Sequence, residues 1–103
     1  MSFGQVIAEA RKKADLTQKE LSARIKKEDG TPISPQYLND LERDRRNPPS
    51  EHLIRQFARE LDLSEDYLIY LAGQIPEDLR NSPQPPERVE AAFKAFRKEL
   101  RRS

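Results

Sequence analysis

The sequence predicts an all-α protein, and three observations predict it. Apolar residues recur every three or four positions along most of the chain, the period of a helix with one buried face. No useful length alternates apolar with polar residues as a strand would. Helix start signals, a hydroxyl residue just ahead of an apolar-periodic run, recur several times. Of 103 residues, 35% are hydrophobic and 36% charged. The core is therefore small, and a domain of this size folds only if those few apolar side chains are well placed.

Phe3, Val6, Ile7 and Ala10 form the first stripe, which runs to about Ala14. Thr17 stands three residues before Glu20, the spacing at which hydroxyl and carboxylate each accept from the other's backbone N–H as a capping box. Leu16 and Leu21 flank that box at staple positions, and Leu21 and Ile25 continue the buried face of the second helix. The stretch Lys26 to Pro32 breaks the pattern with Asp29-Gly30 and a proline. Ser34 as N-cap and Pro35 at the first helical position then open a third helix, with Ile33 and Leu38 as a second staple. It carries Tyr37, Leu38 and Leu41 and should end near Arg43.

Asn47-Pro48-Pro49 leads to Ser50, another N-cap, and to a fourth helix built on Leu53, Ile54, Phe57, Ala58 and Leu61. Ser64 caps a fifth, with Leu63 and Leu68 as staple, Leu71 and Ala72 turned inward and Gly73 as the stop. The texture then changes. Residues 1–73 read as one domain, and 74–86, with four prolines, as a linker holding a short turn near Glu77 to Leu79. Residues 87–103 read as an amphipathic basic helix with Val89, Ala92, Phe93, Phe96 and Leu100 on one stripe.

Composition argues against catalysis. Without cysteine there is no disulfide framework, no cysteine zinc site and no thiol nucleophile. His52 is the one histidine; near a helix start and without a nucleophile to serve, it reads as an exposed residue. The acids lack the spacing of a metal-binding loop, and three scattered glycines cannot cradle a phosphate. Glu60, Asp62, Glu65 and Asp66 read as a solvated face. No enzyme, metal or cofactor is expected. The absence of a membrane-length apolar run or signal peptide leads to an expectation of a soluble, cytoplasmic protein with no membrane partner.

The net charge of +1 hides an uneven distribution. Residues 1–50 hold ten Lys or Arg against eight acids, residues 51–93 four against nine, and the last ten residues five against one. An acidic middle between basic ends suggests a polyanion-facing surface made from selected parts of the chain.

Three runs, in order, carry a resemblance: Ala8-Glu9-Ala10-Arg11-Lys12-Lys13-Ala14-Asp15-Leu16-Thr17-Gln18-Lys19-Glu20-Leu21-Ser22, then Ile33-Ser34-Pro35-Gln36-Tyr37-Leu38-Asn39-Asp40-Leu41-Glu42-Arg43, then Arg46-Asn47-Pro48-Pro49 followed by a capped helix. From about Phe3 to Gly73 the chain resembles the Cro/C1-type (Xre) helix-turn-helix family. The resemblance implies a five-helix lambda-repressor-like domain, to which this chain adds a C-terminal extra helix. It also implies that the third helix lies in the major groove of double-stranded DNA, its N-terminal residues on base edges. Pro35, Gln36, Asn39 and Asp40 fall at the family's base-contacting positions. Gln36 and Asn39 are the strongest of these, because a carboxamide can pair in bidentate fashion with adenine.

Phosphate contacts fall to Gln18, Ser34, Arg43, Arg45, Arg46 and Asn47, with Lys26 and Lys27 as further candidates. Arg11 and Glu42 match a structural ion pair of the family. One departure stands out. The family passes from helix two to helix three through a tight glycine-centred turn, whereas Lys26 to Pro32 is several residues longer. Either helix two runs on or a loop projects, and the angle between the two helices depends on which.

The implied function is sequence-specific transcriptional regulation, as a repressor, by a homodimer on paired half-sites. Leu68, Leu71, Ile75 and the Val89–Phe93–Phe96–Leu100 stripe are candidate dimer contacts. The tail could equally fold back on its own domain, take a protein partner, or touch flanking DNA with its basic face. Two other readings stay open: the antitoxin of a toxin–antitoxin pair, and a protein-interaction module that kept the fold without DNA binding.

Overall fold

The apolar stripes become helices, and no strand forms, in the computed structural model, which describes residues 1–102. Its helices are α1 (Phe3–Lys13), α2 (Gln18–Arg24), α3 (Pro35–Glu42), α4 (Glu51–Leu61), α5 (Glu65–Leu71), α6 (Glu77–Arg80) and α7 (Pro86–Arg101). The first five enclose the core. Ile7, Leu21, Ile25, Leu38, Leu41, Ile54, Phe57 and Leu68 are shut off from solvent there, each stabilising the fold by about 1.5–3 kcal/mol. Leu68 was a candidate dimer contact; being wholly buried, it belongs to this core instead.

Caps set where the helices begin. The Thr17–Glu20 box is formed in both directions, at 2.9 and 3.0 Å, and the Thr17 backbone N–H first, then its hydroxyl, hold the Glu20 carboxyl below its ordinary value. Ser34 and Ser64 accept from the N–H three residues on. A further box, Ser2 with Gln5, starts α1. Ser50 occupies the N-cap of α4 but makes no capping bond. At that helix start the buried carboxylate of Glu51 instead accepts from the Glu77 N–H at 2.9 Å. Gln74 donates to the Pro49 carbonyl at 2.9 Å, so the first part of the proline-rich stretch, α6 included, is laid along the beginning of α4.

Aspartates set where several helices end. Asp15, Asp44 and Asp62 all adopt positive φ, at 61°, 59° and 54°, positions usually given to glycine. Aspartate tolerates this conformation better than bulkier residues do.

Helix α2 does not run on. It stops at Arg24, and Lys26 to Pro32 makes a hairpin-like turn closed by an antiparallel bridge between those two residues. Lys27 N–H donates to the Thr31 carbonyl at 2.7 Å and Ile33 N–H to the Ile25 carbonyl at 2.9 Å. The base of the turn is gripped from α4. The buried Gln56 amide accepts from Lys26 N–H and donates to Lys26 C=O, both at 2.6 Å. Lys26 itself folds its ammonium onto the Ala23 carbonyl at the end of α2.

Gly4 lets α1 approach the end of α3. A Cβ there would fall on the Leu41 carbonyl oxygen and within 2.7 Å of both the Glu42 carbonyl and an Asp44 carboxylate oxygen. Backbone atoms cannot swing aside as a flexible side chain would, so Gly4→Ala is expected to cost about 1–3 kcal/mol. Denaturant titration checks this: a midpoint unchanged from the parent refutes the close approach.

Helix α7 stands apart. Every residue of it is exposed, and the radius of gyration of 15.5 Å exceeds the roughly 13 Å of a compact chain this long. The tail therefore does not fold into its own domain's core. Among the described residues its one aromatic contact is at the surface of α5, Phe96 edge-on to the exposed Tyr70, ring centres 6.1 Å apart.

Candidate nucleic-acid interface

The third helix is held from behind by a buried ion pair. Arg11 on α1 and Glu42 at the end of α3 meet in fork geometry, Nε to Oε2 at 2.7 Å and the second guanidinium nitrogen to Oε1 at 3.0 Å. Their side chains are only 11% and 5% exposed. The remaining arginine nitrogen donates to the Leu16 carbonyl at 2.8 Å, tying the α1–α2 connection into the same node. Such a pair costs desolvation on both sides, so what it chiefly confers is geometry: α3 has one position on the scaffold.

Gln18, at the start of α2, joins this node. Its Nε2 donates to Glu42 Oε1 at 2.9 Å and to Asn39 Oδ1 at 3.2 Å. Both amide hydrogens are then used within the protein, and the donors left for a phosphate at this corner are backbone N–H groups at the head of the helix. The same bond orients Asn39, which is half-buried, and leaves its Nδ2 without a partner among the described residues.

The outward start of α3 carries the other reading positions. Ser34, Pro35 and Gln36 are exposed, and Asp40 is half-buried one turn on. Gln36 Nε2 donates to Asp40 Oδ1 at 3.0 Å, which steadies the carboxamide and leaves its oxygen and second hydrogen to meet a base. Asp40, a pure acceptor, suits only the amino group of a base and opposes a phosphate.

Behind α3 the chain turns through Arg43, Arg45, Arg46 and Asn47, all exposed. Arg45 N–H donates to the Asp40 carbonyl at 2.8 Å, so the turn is fixed to the helix. The Arg46 guanidinium lies 5.4 Å from the ring centre of Tyr37, a cation–π placement beside the reading face. Burial raises the Tyr37 hydroxyl's pKa, against the lowering influence of Arg46.

Sequence reasoning passed over Asp44. It sits among the arginines and ought to weaken the cationic patch. Instead its carboxylate is drawn to the start of α1, accepting from Ser2 Oγ at 2.7 Å and Gly4 N–H at 3.2 Å, where a helix N-terminus favours negative charge. The available signal was an aspartate just past a helix end. Lys26 and Lys27 are exposed on the inserted turn. His52 reaches back to the Lys26 carbonyl at 3.1 Å.

No helix among the described residues is long and apolar enough to cross a membrane. Among curated proteins none matches the sequence. A solved structure of a SinR protein/SinI protein complex has a chain that matches with a TM-score of 0.52 at 24% identity, over 95% of this chain and 90% of that one. A match of that extent takes in much of the tail as well as the first five helices. The family model described as helix-turn-helix (HTH_3) matches residues 7–68, which span both halves of the motif and its buried clasp. The chain belongs to the Cro/C1-type helix-turn-helix family of DNA-binding regulators.

Proposed function

We propose that the protein is a sequence-specific repressor that binds double-stranded DNA as a homodimer, each copy setting α3 into the major groove of one half-site. Gln36 and Asn39 read base edges, with Pro35 against a thymine methyl and Asp40 on an amino group. Backbone N–H groups at Gln18, the Ser34 hydroxyl, and Arg43, Arg45, Arg46 and Asn47 hold phosphates on either side. The observation that carries this reading is the outward-facing Gln36, steadied by Asp40 and standing on a helix whose far end is locked by Arg11 and Glu42. Two half-sites about one helical turn apart would suit such a dimer.

Selection from a random duplex pool with the full chain tests it. The expected product is one motif, repeated with twofold symmetry. Gln36→Ala should then cost about 1–3 kcal/mol at one base pair per half-site and relax the preference there. Equal loss on every sequence would refute direct readout, and recovery of no motif would remove the function.

A further inference from the structure

The exposed face of α7 has a pattern of its own. Val89, Phe93, Phe96 and Leu100 follow one another by four, three and four residues, the alternation of the two seam positions in a coiled coil. They are 42%, 44%, 46% and 58% exposed, too much apolar surface in one line for a helix that merely faces water. On one flank of this seam stand Glu90 and Arg97, a heptad apart; on the other stand Ala92 and Glu99.

Charge is also graded along the helix. The first part holds Glu87 and Glu90 with one arginine, Arg88. The second holds Lys94, Arg97, Lys98, Arg101 and Arg102 against Glu99 alone.

We propose that α7 pairs with α7 of a second copy of this chain in antiparallel orientation, Phe93 of each facing Phe96 of the other and Val89 facing Leu100. In that register the flanking positions of like type meet, so Glu90 of each copy lies beside Arg97 of the other, twice in the dimer. Acidic starts face basic ends, and the helix dipoles run in opposite senses. A parallel pair gives none of this. It sets Glu90 and Arg97 against Pro85 and Ala92 of the other chain and brings the two basic halves together. The edge contact between Tyr70 and Phe96 shows where the seam joins the body, and Tyr70, 52% exposed, continues the apolar surface onto α5. The inference names the contact behind the homodimer proposed above, and association measured without DNA keeps its failure separate from that of operator recognition.

Cross-linking decides the orientation, because the full chain has no cysteine. Chains carrying Val89→Cys and chains carrying Leu100→Cys, mixed and oxidised, should give covalent dimers of one chain of each kind. Val89→Cys alone should not link, since its counterpart lies about 16 Å away along the helices, well beyond disulfide reach. Efficient linking of Val89→Cys to itself, or sedimentation of the parent chain as a monomer, overturns the proposal. Glu90→Arg or Arg97→Glu alone, both on solvated positions, should weaken self-association by roughly tenfold, because two attractive contacts become two repulsive ones. The double variant should recover to within about threefold of the parent. A double variant as weak as the singles refutes the register.

Discussion

Glu42→Ala is expected to cost about 3–5 kcal/mol, because it leaves the Arg11 guanidinium buried with one carbonyl for company. In a domain this small that lowers the melting temperature by at least roughly 10 °C. The loss has a second part. Glu42 also accepts from Gln18, so the variant frees Gln18 and, through it, Asn39. Replacing both partners by apolar residues of similar size, Arg11→Met with Glu42→Leu, separates the two parts: stability should largely return, since two well-packed apolar groups often equal a buried ion pair. Base preference at the Asn39 position should not return with it. Calorimetry and duplex binding on the same preparations check both. A double variant as unstable as Glu42→Ala would show that desolvation is not the cause.

Removing Arg45 and Arg46 together should give the largest change in binding. If about six phosphates are neutralised by the dimer, affinity falls some 10³-fold between 50 and 200 mM salt. The double alanine variant takes away about four of those contacts and should lose only roughly tenfold over the same range. The loss at low salt should be equal for the selected site and for unrelated duplex, because phosphate contacts carry no sequence information. Salt titration of both duplexes reads this directly. An unchanged slope would place the two arginines outside the contact. Tyr37, which lies beneath the Arg46 guanidinium, would then have a purely structural role.

What the sequence disclosed depended on how local the cause was. Thr17 with Glu20, Ser34 with Pro35 and Ser64 are cap signals complete within four residues, and each stands at the start of its helix. Ser50 looked identical and makes no side-chain cap bond, while its neighbour Glu51 engages the Glu77 N–H twenty-six residues away, a partner that spacing cannot reveal. The course of the inserted turn was hidden for the same reason: Gln56 grips it from α4, and nothing in the periodicity of that helix marks one glutamine as inward. Leu68 suited a surface stripe as well as a core one, and packing of α5 on α4 decided between them. The exposure of Gln36 and the arginines followed from polarity and position, whereas the diversion of Asp44 to the head of α1 required two elements forty residues apart to touch.

Because the Gln56 amide grips both backbone polar groups of one residue, Lys26, at the foot of the inserted loop, the tip from Glu28 to Gly30 is mechanically uncoupled from the helices on either side. Residues can be gained or lost there without altering how the two arms of the motif are splayed. Descendants of this chain are therefore at liberty to grow an extra finger, or trim one, while the letters they read stay the same.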